Sequence, residues 1–94
     1  MAKRRNLAQW ATIFRGLGSL YRLRILQLLY RRRELTVSAL AVELNISLKN
    51  TSRNLAILQN LGFVESAGKR GRVPYRLARH LPSEVTQLLR LSIW

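Results

Sequence analysis

Two apolar helical patterns meet across three residues near the middle of this chain, and few folds allow that. Leu40, Ala41 and Leu44 recur at helical spacing, and Leu48, Thr51, Leu55 and Leu58 resume it after Asn45-Ile46-Ser47. Asparagine tolerates the left-handed conformation that ends a helix, Ile46 plugs the turn, and the Ser47 hydroxyl is placed to accept a backbone N–H at the start of the next helix. Thr36 is the matching N-cap upstream, with Leu35 and Leu40 placed as a hydrophobic staple. The segment therefore reads as a short helix, a tight turn and a longer helix over residues 47–60, which is the helix-turn-helix arrangement.

The flanking segments supply a frame for it. Leu7, Trp10, Phe14 and Leu17 predict a first helix over residues 7–17 that ends near Gly16 and Gly18. Ser19 caps a second helix whose leucines 20, 23 and 26, with Ile25, Leu28 and Leu29, make it apolar over a broad arc before Arg31-Arg32-Arg33. After Leu61-Gly62 the period changes to alternation. Phe63 and Val64 open one strand, and Val73, Tyr75 and Leu77 alternate with Pro74 and Arg76 in another. Gly68-Lys69-Arg70-Gly71-Arg72 lies between them as a hairpin tip, with glycines where positive backbone angles are needed. Pro74 predicts an edge strand. Pro82 suits the first turn of a last helix over residues 82–92, in which Val85, Leu88, Leu89 and Ser92 share a face. The expected fold is mostly α with a small β-hairpin: a single winged helix-turn-helix domain in ααααββα order, residues 1–6 forming a basic arm.

Charge narrows the partner. Seventeen Lys and Arg stand against four acids and no Asp, a formal net charge of +13, and all the cations except Lys3, Lys49 and Lys69 are Arg. Such an excess repels itself unless a polyanion neutralises it, so nucleic acid is the first candidate and an anionic membrane surface the second. No apolar run approaches the ~20 residues of a membrane span, and the N-terminus lacks a signal-peptide pattern. The expectation is a soluble, cytoplasmic, nucleoid-associated protein with no membrane partner.

A helix that enters a major groove must present short polar or basic side chains opposite its apolar anchor. With Leu48, Thr51, Leu55 and Leu58 as the anchor, Lys49, Asn50, Arg53 and Asn54 fall on the outer side of the first two turns. Arg53 is the candidate for guanine, Asn50 or Asn54 for adenine, and Ser47, Thr51 and Ser52 for phosphates. The tip adds Lys69, Arg70 and Arg72, slender enough to approach phosphates or a minor groove. Lys3, Arg4 and Arg5 form either a DNA-binding arm or a solvated tail, and Arg31, Arg32 and Arg33 either a second basic patch or favourable charge at a helix C-terminus. Two alternatives share these features. One is a non-specific, chromatin-like or RNA-binding winged helix; the other is a protein-interaction module for an acidic partner.

Other chemistry lacks its parts. With no Cys, no Asp and His80 as the single histidine, neither nucleophilic triads nor thiolate metal sites can be assembled. Gly16-Leu17-Gly18-Ser19 matches neither a phosphate loop nor a nucleophile elbow and is read as a helix break. No enzyme activity, cofactor or metal is expected.

Leu17-Gly18-Ser19-Leu20-Tyr21-Arg22-Leu23-Arg24-Ile25-Leu26 resembles the Leu-Ala-Asp-Pro-Thr-Arg-Leu-Arg-Ile-Leu signature of the ArsR/SmtB family of winged-helix repressors, with Leu20 in place of the usual proline. Ser47-Leu48-Lys49-Asn50-Thr51-Ser52-Arg53-Asn54-Leu55 is similar to that family's recognition helix, Asn54 replacing a histidine. Gly62-Phe63-Val64 and Gly71-Arg72-Val73-Pro74-Tyr75-Arg76-Leu77 resemble its strand and wing. The likeness spans about residues 12–78. It implies a homodimer joined through the first and last helices that binds an imperfect palindrome of double-stranded DNA and represses transcription. The apolar stripes of the terminal helices, Leu7, Trp10 and Phe14 with Val85, Leu88 and Leu89, agree with such an interface. The family's metal inducers do not carry over. Thr36 and Ser38 occupy the positions of a Cys-x-Cys pair, and only His80 and Glu84 remain of an Asp, His and Glu site on the last helix. The effector is unknown from these residues.

Overall fold

In the computed structural model, which describes residues 4–68 and 73–91, the first four helices each begin on a capping side chain. Asn6 opens α1 (Leu7–Leu17) with a reciprocal box, its Oδ1 accepting from the Gln9 N–H and its own N–H donating to Gln9 Oε1, both at 2.8 Å. Ser19 caps α2 (Leu20–Arg32), Thr36 caps α3 (Val37–Leu44) and Ser47 caps α4 (Leu48–Asn60). Asn45 ends α3 in the left-handed region at φ 56°, and three residues later α4 has begun. The last helix, α5 (Ser83–Arg90), follows Pro82.

The N-terminal segment departs from the expected arm. Asn6 is a helix cap, and Arg5 donates to Glu84 Oε2 at 2.7 Å, so within the described residues only Arg4 remains outside the packed structure. The expected helix break is present, with α1 ending at Leu17, Gly18 as its C-cap and α2 starting at Leu20, but Gly16 itself has another role. Gly16 is buried inside α1 against the Phe63 ring, and the helix ends at Leu17. Its C-terminus is then capped from α2, because the Arg22 guanidinium donates to the Arg15 carbonyl at 2.7 Å and to the Gly16 carbonyl at 3.3 Å. A cation at that end satisfies carbonyls the helix leaves open and opposes its dipole.

A third strand is the main addition to the expected order. Arg33 turns the chain at φ 68°, and Glu34–Thr36 forms β1 before Thr36 caps α3. With β2 (Val64–Ser66) and β3 (Pro74–Leu77) it makes an antiparallel sheet in the order β1-β3-β2. The element order is therefore ααβααββα, and β3 is the central strand rather than an edge. Pro74 is tolerated there because it is the first residue of the strand, opposite Thr36 at the end of β1, while its carbonyl accepts from the Ala67 N–H at 2.8 Å.

The core lies between α2 and the elements around it. Ile25, Leu26 and Leu29 of α2 meet Leu40 and Leu44 of α3, Leu55 and Leu58 of α4, and Phe63 and Val64 after the turn at Gly62. Val85 and Leu89 of α5 complete it at 0% and 1% exposure, which corrects their assignment to a dimer surface: both are turned into the chain's own core. Full burial of one such aliphatic side chain contributes about 1.5–3 kcal/mol. α4 is thus clamped along one side, and its other side is left to solvent.

Candidate nucleic-acid interface

The clamp on α4 rests on three residues. Thr51, Leu55 and Leu58, spaced three and four apart, are each 0% exposed. Thr51 donates its hydroxyl to the Ser47 carbonyl at 2.9 Å, so it is a structural residue and has no surface to offer a phosphate, contrary to the expectation from sequence. Leu48 was expected on the same anchoring face and is instead 55% exposed, at the start of α4 and beside the exposed Val42 of α3.

The opposite face carries Lys49, Asn50, Ser52 and Arg53, all exposed. Among the described residues, the side chains of Lys49, Asn50 and Arg53 have no hydrogen-bond or ion-pair partner, and α4 contains no acid that would engage them. Ser47 is exposed, and its hydroxyl accepts from the Asn50 N–H at 3.0 Å. Asn54 differs from its neighbours. It is half-buried, and its amide donates back to the Asn50 carbonyl at 2.9 Å, which leaves Asn50 as the better placed amide.

Three of the chain's four acids are paired with arginines on other elements. Glu43 pairs with Arg32 at 3.1 Å, Glu84 with Arg5 at 2.7 Å and Glu65 with Arg76 at 3.0 Å. Glu65 stands opposite Arg76 across β2 and β3, and its other oxygen accepts from the Arg79 N–H at 2.6 Å. That backbone hydrogen bond, with the Arg76 guanidinium second, holds the Glu65 carboxyl below its ordinary value. The Arg5 hydrogen bond does the same for Glu84.

β2 and β3 run antiparallel from Val64 opposite Leu77 to Ser66 opposite Tyr75, so they form the base of a hairpin whose tip is the predicted basic wing. Gly68, at φ 68°, begins the tip and donates its N–H to Ser66 Oγ at 3.1 Å. Lys69, Arg70 and Arg72 lie outside the described residues. At the positions matching the family's metal sites, where no metal is expected, Thr36 is occupied as a cap, Ser38 and His80 are exposed, and Glu84 is engaged by Arg5. Among the described residues no three His, Asp or Glu side chains cluster, and no helix is long and apolar enough to cross a membrane.

The family model for bacterial regulatory proteins of the arsR family matches residues 21–66, the stretch from α2 through β2. A homodimeric winged helix-turn-helix DNA-binding domain from Mycobacterium bovis, Mb0332, described as a possible ArsR-family transcriptional regulator, is 32% identical over 97% of this chain and 85% of its own, with a TM-score of 0.75. The chain belongs to the ArsR family. HlyU from Vibrio cholerae, 27% identical, is matched over 98% of this chain and all of its own at a TM-score of 0.81. The transcriptional regulator HlyU from Vibrio vulnificus, 28% identical, is matched over 89% and 83% at 0.76. No curated protein sequence matches at a significant level. This ArsR-family chain is the winged helix-turn-helix DNA-binding domain of a transcriptional regulator, with α3 and α4 as its helix-turn-helix and β2 and β3 as the base of its wing.

Proposed function

We propose that this ArsR-family domain reads a specific DNA sequence as a homodimer and represses transcription from it, on the nucleoid in the cytoplasm. The observation that carries the reading is the two-sided character of α4. Thr51, Leu55 and Leu58 fix the helix to the core while Lys49, Asn50 and Arg53 stand free on its outer face, in the turns that reach deepest into a major groove. Arg53 has the planar fork for guanine O6 and N7, and Asn50 the amide for adenine N6 and N7. Ser47 and Ser52 flank them as phosphate donors, and the wing cations Lys69, Arg70 and Arg72 add backbone or minor-groove contacts.

The dimer reading rests on α1 and α5. Leu7, Phe14 and Leu91 are 87%, 64% and 75% exposed, Leu88 is also exposed, and Trp10 stacks on Phe14 with ring centroids 5.8 Å apart. Exposed apolar side chains of this kind on the terminal helices are suited to a two-fold interface, and the Mycobacterium bovis relative is a homodimer. Gel-shift competition at fixed salt tests the proposal. A duplex selected from a random pool should resist unrelated competitor and show two half-sites spaced by about one or two turns of ~10 bp. Equal competition by any duplex would replace specific reading with non-specific binding.

A further inference from the structure

Leu48 is out of character with its surroundings. Its spacing from Thr51, Leu55 and Leu58 suits the core, yet it is 55% exposed, and beside it Val42 of α3 is 80% exposed. With half-buried Ile46 they line a shallow depression between α3 and the start of α4, rimmed by Ser38, Asn45 and Ser47. Leu48 opens the first turn of α4, the turn that also carries Lys49 and Asn50, so a duplex that receives the N-terminal end of this helix meets all three residues.

Resting on the reading that α4 enters the major groove, we propose that Leu48 is a specificity-determining residue that packs on the 5-methyl group of a thymine, with Val42 extending the apolar step. The base edges of the major groove carry hydrogen-bond donors and acceptors and one apolar group, the thymine methyl. Leu48 has no polar atom in its side chain and can select a base only through that methyl. The neighbouring amide and cations then read hydrogen bonds, while Leu48 reads shape and burial.

Replacing thymidine by deoxyuridine deletes the methyl and leaves every hydrogen-bonding atom in place. The full chain is used to select a duplex from a random pool, and that duplex is remade with deoxyuridine at one thymine position at a time. Wild-type protein is expected to lose about four-fold in affinity at the contacted thymine, the fold-change equivalent to about 0.8 kcal/mol for one buried methyl-sized group. Leu48→Ala should bind the thymine duplex more weakly and be indifferent to uracil at that position, and Leu48→Met should retain the preference. An unchanged thymine preference in Leu48→Ala, or dissociation of a dimer by that substitution, overturns the proposal. If no uracil substitution matters in a duplex that is still selected and whose selection Arg53→Ala relaxes, thymine reading by Leu48 falls and the role of α4 stands. If no duplex is selected at all, both fall.

Discussion

Gly16 lies so close beneath Phe63 that a Cβ at position 16 would overlap the Cε2, Cδ2 and Cζ atoms of the ring. The contact lets α1 approach the junction of α4 and β2, and it decides how a common stabilising substitution behaves here. Glycine to alanine inside a helix ordinarily gains about 1 kcal/mol in propensity. At position 16 the overlap with a buried ring should reverse the sign, and Gly16→Ala is expected to destabilise by about 1–3 kcal/mol, the range for overpacking a core. Urea unfolding measures it, and pairing the substitution with Phe63→Leu should restore part of the loss. A more stable Gly16→Ala would show that the ring can move aside.

The same glycine shows which parts of the fold were legible in sequence. The caps at Ser19, Thr36 and Ser47 and the left-handed Asn45 were readable because each depends on hydrogen bonds within a few residues. The break between α1 and α2 was legible too, but the packing role of Gly16 was not, because its reason lies in Phe63, far along the chain. β1 was missed for a similar cause: three residues carry no alternation, and Glu34–Thr36 is a strand only because β3 pairs with it. Pro74 then looked like an edge residue, since the strand on its other side was unseen. On α5 the apolar stripe was visible, but only packing decides that Val85 and Leu89 face inward and Leu88 outward. In the candidate site, helical spacing placed Lys49, Asn50 and Arg53 on the exposed side of α4 but could not show that Thr51 and Asn54 bond to carbonyls of their own helix turn or that Leu48 stays exposed.

The carboxylates of Glu65 and Glu84 tie stability to acid. Both are held below their ordinary value in the folded chain, Glu65 chiefly by the Arg79 N–H and Glu84 chiefly by the Arg5 side chain. As pH falls, the unfolded chain therefore takes up these protons first, so the stabilisation is complete above an ordinary carboxylate value of about 4.3 and is lost as pH drops through the lower folded values. Urea midpoints measured below about pH 5 should fall with pH, and less steeply in Glu65→Gln and Glu84→Gln. Identical acid limbs in all three proteins would count against this assignment.

Phe14 and Leu88 separate assembly from folding. Both are exposed in the single chain, so charge placed there leaves the core intact. Phe14→Glu is expected to sediment as a monomer where wild type sediments as a dimer, with an unchanged circular dichroism spectrum. Its affinity for a two-half-site duplex should fall by roughly 10² or more, since the second half-site is then no longer bound in the same complex. Val85→Glu is the contrasting case and should prevent folding. A dimeric Phe14→Glu would remove α1 from the interface.

Arg53 and Arg76 make opposite predictions from the same side-chain chemistry. Arg76 is engaged by Glu65 between β2 and β3, whereas Arg53 has no partner among the described residues and stands exposed on the second turn of α4. Arg53→Ala therefore removes no folding contact and should leave the unfolding midpoint unchanged while weakening the selected duplex by about 1–3 kcal/mol and relaxing one position of the selected sequence. Arg76→Ala should lower the midpoint and leave that sequence preference intact. Lys69→Ala provides the third pattern: weaker binding to every duplex, with the slope of log affinity against log salt reduced by about 0.9 for one lost phosphate contact. Because the three substitutions act through base edge, fold and backbone respectively, selection from a random pool, urea titration and salt titration on each distinguish them. If Arg53→Ala selects the same sequence as wild type, guanine is read by another residue and Lys49 is the next to test.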